Sequence, residues 1–587
     1  MKTHKMAFLA GLVAAVILLL SAAFGTPKPE DSRRPWTILL YGAVDNSADD
    51  PFVEFTDQLR RAIDDDPGIE LILFIDRSDR HRKSATFLGD DFTSTRLYRI
   101  RKNSVERLSG GAQFPEITRD NDVNLNSADA STLQRFITWG KANYPAERYG
   151  LLIYSHADGR SMCPDARTNS VMGIAEPTEK ISAKERVDFL ALELCNMGGI
   201  EIAYQWRPGN GRFEADVLLA IPNAGPPLDW DRAFSRIRSP GHAPAKGPAL
   251  DPARMTAVDF GKLVIEEGRL GRQAHEKPGG MGSKESAGCY DLRKAGEVKR
   301  AVDALAVALA KSNSRTDLLE IRNATSQSQL ISYSEDSSYV DLYDLCKRIA
   351  ASERFPQAVR AAANGVMKSL PGFMISSFGM SGYGQFEDGK NGVFIVLPSG
   401  RPNSWRYYRW YTPIRGDRNN YGNWSFLKDG ATPGNGVVEN WFELLESWFH
   451  VAEESSGINT AEAKKELEKL QGEWTMVSRE MGGQKTREEV LKQFRLTITG
   501  DEWLVMYQGK ENLRTKLRID PTKDPKVLDM IRKDGNDEDV SLGIYKLEGD
   551  TLTLCRMMQS GDIARPREFK TTREGEVVVV WRREMKQ

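Results

Sequence analysis

VDFLALELCNMGG, residues 187–199, decides the fold. Its first half is an unbroken apolar run with the composition of a strand. Cys195 ends the run, then come a polar Asn196 and the glycine pair 198–199, and IEIAYQW (200–206) takes up helical spacing. A strand that is apolar on both faces fits a parallel sheet covered on both sides. The flanking chain repeats the pattern. PWTILLYGAVDN (35–46), IELILFID (69–76), GLLIYSHADG (150–159) and ADVLLAIPN (215–223) read as further buried strands. Between them, Phe52, Phe55, Leu59, Ala62 and Ile63 share one face of a helix over 51–65. Leu133, Phe136 and Ile137 do the same over 127–144. Strands alternating with helices predict a mostly parallel α/β sheet.

Such sheets present their chemistry beyond the carboxyl ends of the strands. Asp45, His156, Cys195 and Asn223 all stand at such ends. Alone, Cys195 reads as buried filler and His156 as a satisfied structural group. As a pair on neighbouring strand ends they form the nucleophile and general acid/base that thiol catalysis requires. Backbone amides at the same turns, at Ala157 and Cys195, are candidate oxyanion donors. The other histidines, His4, His81, His242, His275 and His450, lie in the leader or in polar or Pro-rich surroundings.

The composition narrows the class. The chain has 587 residues, enough for several domains, and Lys+Arg 81 against Asp+Glu 82 gives a net charge of -1. No basic block suggests a nucleic-acid partner. Lys2 and Lys5 precede an apolar run from Ala7 to Gly25, and Ala23-Phe24-Gly25 offers a small-x-small cleavage site. Residues 1–25 therefore read as an export signal, and composition favours a cleaved leader over a retained membrane anchor. The product is expected in the periplasm, at the cell surface or in the medium. No Cys follows the run to carry a lipid. The five cysteines, Cys163, Cys195, Cys289, Cys346 and Cys555, are scattered and show neither disulfide nor zinc spacing. GQFEDGKN (384–391) approaches a phosphate-binding loop, but it lacks the final Ser/Thr and precedes the strand GVFIVLP, so it reads as a turn.

WTILLYGAVDN, DVNLNSADASTLQRFITWGKANYPAERYGLLIYSH (122–156), ELCNMGGIEIAYQW (193–206) and CYDLRKAG (289–296) together resemble the clostripain-like cysteine peptidases, relatives of caspases and gingipains. The resemblance covers about residues 36–450. It implies a caspase-like α/β sandwich, a His156–Cys195 dyad, cleavage after basic residues, and in some relatives self-cleavage between the His and the Cys. Arg160, Arg167, Lys180, Lys184 and Arg186 lie in that interval. Some relatives depend on calcium, although no EF-hand loop occurs in this sequence. Two positions depart from the family pattern. Ala157 stands where Gly usually follows the His, which suits an amide donor provided its φ is negative. Glu193 stands where Asp usually helps bind the basic side chain of the substrate, with Asn223 in the region that shapes the same pocket.

From Leu470 on, the periodicity changes to two. FRLTITG (494–500) alternates cleanly, and short strands with turns continue to the C-terminus. This predicts a small antiparallel barrel. LQGEWTMVSREMGG (470–483), FRLTITGDEW, IDPTKDPKVLDM (519–530), LGIYKLEGDTLTLC (542–555) and RPREF resemble a lipocalin-like domain common in planctomycete proteins. The expected organisation is a leader at 1–25, a peptidase domain at 34–450, a linker at 451–465 and a barrel at 466–587. The expected function is an exported cysteine endopeptidase acting on proteins or peptides. The alternative is an inactive relative that binds a ligand or partner through the barrel.

Overall fold

The structure is a computed structural model. It describes residues 33–584, less 65–67, 82–85, 88, 158–160, 223–224, 226, 242–246, 276–284, 325–329, 332–338, 384–385, 399–423, 433, 450–460, 482, 535–536, 558–564, 567 and 572–575. The expected leader, Asn223, Arg160 and most of the expected linker lie outside the described residues. None of the described helices is long and apolar enough to cross a membrane.

Nine strands form the central sheet: β1 (Arg34–Val44), β2 (Ile69–Arg77), β3 (Thr95–Arg101), β4 (Ser104–Leu108), β5 (Ala146–Tyr154), β6 (Val187–Glu193), β7 (Ala215–Ala220), β8 (Ser286–Asp291) and β9 (Met374–Gly379). Their spatial order is β9-β8-β7-β6-β5-β1-β2-β3-β4. The five middle strands, β7-β6-β5-β1-β2, pair in parallel. The pairs at both margins are antiparallel. The five middle strands coincide with the apolar runs of the sequence.

The sheet is covered on both faces, as a caspase-like sandwich requires. Leu39, Tyr41, Ile153, Leu190 and Leu192 enter one core with the helices Ala130–Asn143, Ala295–Lys311 and Gln357–Phe373. Ile38, Leu40, Leu152, Phe189 and Ala191 enter the other, with Asp49–Ala62, Trp230–Arg236 and Ala257–His275. The alternation of side chains along each strand divides them between the two cores.

Two strands depart from the sequence reading. Residues 239–290 read as loops around one helix, yet Ser286–Asp291 is a strand buried at all but its last residue. Met374–Gly379 extends the sheet beside it. Both carry Ser and Gly rather than an apolar run, and neighbouring groups meet their polar demands. Tyr290 Oη, for example, donates to the Gly392 carbonyl at 2.6 Å. The turn predicted at 384–391 closes between Glu387 and Asn391, ahead of the strand Phe394–Val396.

The C-terminal unit is a closed antiparallel barrel. Eight strands run from Gly472–Met481 to Glu576–Arg583, and these two pair with each other to close the ring. Trp474, Trp503, Leu517, Leu528, Leu554 and Trp581 belong to its buried core. The preceding helix, Ala461–Leu470, adds Ala463 and Leu470 to that core.

Candidate active site

β5 and β6 are neighbours in parallel register, with Tyr154 opposite Glu193. His156 lies two residues beyond Tyr154 and Cys195 two residues beyond Glu193. Adjacent strands are about 4.8 Å apart, so the two chains leave the sheet side by side. The strand order inferred from sequence is thus present, and it brings together the two residues expected to react.

The segment after Cys195 is held from several directions. Asn196 has φ +61°, a left-handed conformation that Asn tolerates better than most residues. The Met197 amide donates to the Ile221 carbonyl at 2.9 Å, and the Phe394 amide donates to the Gly198 carbonyl at 3.0 Å. A Cβ on Gly198 would come within 2.6 Å of the Pro222 ring and 2.7 Å of its Cα. Only glycine lets the turn approach the end of β7 so closely. Cys195 is half-buried and in no disulfide, whereas Cys163, Cys289, Cys346 and Cys555 are fully enclosed. Burial pushes the thiols of Cys163, Cys289 and Cys346 well up.

His156 is exposed, and its Nε2 lies 2.9 Å from Ser47 Oγ. Desolvation by the surrounding protein atoms, and then the nearby His81, hold the imidazole below its ordinary value, which favours its neutral form at pH 7. In this state the ring is bonded to Ser47 and not to the thiol. The neighbouring Asn46 ties three chain segments together. Its Nδ2 donates to the Ala43 carbonyl at 3.1 Å, to Ser155 Oγ at 3.2 Å and to the Pro164 carbonyl at 2.8 Å. Its Oδ1 accepts from the Ala48 amide at 2.9 Å. Sequence reading marked Asn46 only as a strand end and did not single out Ser47 or His81. The available signal was a polar Asp-Asn-Ser run at the tip of a buried strand.

Ala157 pairs with Met162, and the Cys163 amide donates to the His156 carbonyl at 3.0 Å. Ala157 is not among the described residues with positive φ, which is the condition its replacement of Gly imposes. Glu193 is buried. Its Oε1 accepts from Trp230 Nε1 at 2.6 Å and its Oε2 from the Leu228 amide at 3.2 Å. Burial pushes the carboxyl up to about 7, against these two hydrogen bonds and the more distant Arg272. Tyr154, packed on Phe52 and Phe55, lies beside both Glu193 and Cys195; burial above all, and then their charges, push its hydroxyl up. Asn223 lies outside the described residues.

The Clostripain family model matches residues 41–448. "Clostripain" of Hathewaya histolytica is 34% identical over 469 residues, covering 72% of this chain and 88% of the relative. The chain belongs to the Clostripain family. It is therefore a cysteine peptidase, a hydrolase. Among solved structures it is similar to an inactive zymogen C11 protease from Parabacteroides distasonis, at 16% identity and TM-score 0.44, over 65% of this chain and 99% of that one. It is also similar to a secreted C11 cysteine protease from Bacteroides thetaiotaomicron in complex with an irreversible peptide inhibitor. That match has 19% identity and TM-score 0.41, over 64% and 98% of the two chains.

Proposed function

We propose that this clostripain relative is an exported endopeptidase that cleaves after basic residues, with Cys195 as nucleophile and His156 as general acid/base. The supporting observation is the shared register of β5 and β6, which ends each strand two residues before a reactive residue. The neutral imidazole takes the thiol proton. Cys195 Sγ attacks the scissile carbonyl and a C–S bond forms. The developing oxyanion accepts hydrogen bonds from the amides of Cys195 and Ala157. The C–N bond then breaks as His156 returns its proton to the departing amine, and water hydrolyses the thioester. With Nε2 bonded to Ser47, Nδ1 is the nitrogen available to the reaction.

Glu193 serves specificity from beneath the site. Its ionised form places a negative charge below the strand end, and Asn223 belongs to the same pocket. Export rests on the leader at 1–25. Self-processing is favoured at Lys180 or Lys184, which are exposed between His156 and Cys195. Arg167 is a poorer target: it is tied to the Thr93 carbonyl at 3.1 Å and lies 3.8 Å from Asp45.

Hydrolysis of fluorogenic peptides with Arg, Lys or neutral residues before the scissile bond tests this reading. The chain without residues 1–25 should cleave the basic substrates, and its Cys195→Ala variant should not. Equal turnover by both proteins, or by neither, would refute it.

A further inference from the structure

The interior of the C-terminal barrel holds polar groups that its own chain does not satisfy. On the strand Lys510–Asp520, Leu513, Leu517 and Ile519 turn towards the apolar core, and Thr515 falls on the same face. Thr515 stands opposite Trp503. The Trp503 and Trp581 rings meet edge to face, with centroids 6.2 Å apart. Thr515 is 6% exposed and Trp581 2% exposed. Thr515 Oγ1 and Trp581 Nε1 are both buried without a hydrogen-bond partner. A buried indole N–H ordinarily finds an acceptor. Here two groups able to donate flank the same Trp503 ring and neither has one.

Two arginines share this interior. Arg556 continues the inward stripe of Leu552 and Leu554 and stands opposite Val577, another core residue. Its Nη1 donates to Ser541 Oγ at 3.3 Å. Gly543 pairs with Arg556 from the other side, and a Cβ there would come within 3.1 Å of Arg556 Cβ. Glycine leaves that space clear. Arg479 reaches the same face through a β-bulge. Trp474 and Met476 point inward, the pairing slips by one residue between Met476 and Ser478, and Arg479 comes opposite the core residue Val579. Without the slip it would point outward. Arg479 contacts Thr486 Oγ1 at 3.4 Å and Met481 Sδ at 3.9 Å, and neither carries a negative charge. Burial, and then the positive charge of Arg479, bring the Arg556 guanidinium down to about 10. Both effects oppose holding two cations here, and an anion between them would relieve both.

We infer that the barrel binds a small-molecule carboxylate with an apolar body, its anionic group held by Arg479, Arg556, Trp581 Nε1 and Thr515 Oγ1. A barrel of this size is either filled by its own side chains or holds one small ligand, and unsatisfied donors among apolar walls favour the second. A carboxylate offers two oxygens with about four lone-pair directions, and guanidinium groups match its planar geometry. The walls around these donors are apolar, with Val505, Leu513 and Val579 among them, so the rest of the ligand is alkyl or aryl. A neutral ligand would leave the two positive charges facing each other, and a cation would add a third.

The test is titration calorimetry of the full chain carrying Cys195→Ala with octanoate, decanoate and phenylpropionate, each set against the alcohol of the same skeleton. The readout does not depend on catalysis, so a failure here is distinct from a failure of the peptidase reading. The expected result is one site per chain for at least one of the acids, with its alcohol bound about tenfold more weakly or worse. Arg479→Gln and Arg556→Gln should each weaken that acid about tenfold with unchanged near-UV circular dichroism. Trp581→Phe, which removes the N–H and keeps a ring, should weaken it about fivefold. Absence of heat with all the acids overturns the inference, and so does equal affinity for an acid and its alcohol. These two outcomes are read on the barrel without substitutions, so a variant that fails to fold does not affect them. Undiminished affinity in both folded Gln variants, or tighter binding of inorganic phosphate than of any of the acids, overturns it as well.

Discussion

Replacing Glu193 by Gln tests whether a buried charge is held under the catalytic strand. The carboxyl is pushed from 4.5 to about 7 by burial. The folded chain therefore binds this proton more tightly than the unfolded chain. Stability is full below pH 4.5, falls as pH rises towards 7, and stays reduced above it. At about 1.4 kcal/mol per pH unit, the loss is about 3 kcal/mol. Gln has no proton to release in this range, so it removes the slope. It keeps an oxygen for Trp230 Nε1 but turns an N–H towards the Leu228 amide, and the lost hydrogen bond costs about 1 kcal/mol. Glu193→Gln should therefore be about 1 kcal/mol less stable than the parent at pH 4.5 and about 2 kcal/mol more stable at pH 8, with a crossing between. Urea unfolding at half-unit pH steps, both proteins carrying Cys195→Ala, gives the two curves. Parallel curves would mean that Glu193 does not titrate in this window, and the argument for a buried ionisable carboxylate would fail. In the active enzyme the same variant should lose its preference for basic over neutral residues by about tenfold or more.

Other consequences are open to measurement. His156→Ala should lower kcat of the processed enzyme by about 1000-fold with little change in KM, because proton transfer is lost and binding is kept. The acid limb of kcat/KM should fall below pH 6.5, since burial and His81 keep His156 neutral to lower pH; a limb above 6.5 would assign it to another group. Ser47→Ala should reduce kcat about tenfold at constant KM and move that limb, a combination that a purely structural Ser would not produce. Gly198→Ala should cost about 1–3 kcal/mol in urea unfolding and lower activity, because its Cβ collides with Pro222; wild-type behaviour would show that the turn has room to move.

The legible parts of this molecule were those in which burial writes itself into residue type. The five parallel strands are enclosed on both faces, so their sequences are apolar runs, and the strand ends locate His156 and Cys195 without further information. The barrel was legible through the opposite signal, the clean alternation of Phe494, Leu496 and Ile498. β8 and β9 were not legible because SAGCYD and MISSFG mix small, polar and apolar residues without a period. The supports of the site were also hidden. Asn46 acts by reaching segments 109 and 118 residues away. No local pattern records contacts of that range.

The central position of the β5–β6 seam also determines what happens to a broken chain. β1 to β5 precede the interval 157–186 and β6 to β9 follow it, so the two groups form the two halves of one continuous sheet and meet only at the β5–β6 ladder. Hydrolysis after Lys180 or Lys184, which lie outside every strand, removes none of the pairings of that sheet. The products are two polypeptides with a shared interior, each carrying one half of the reactive pair. They should elute as one particle in native buffer and separate only in denaturant, and neither should regain activity without the other.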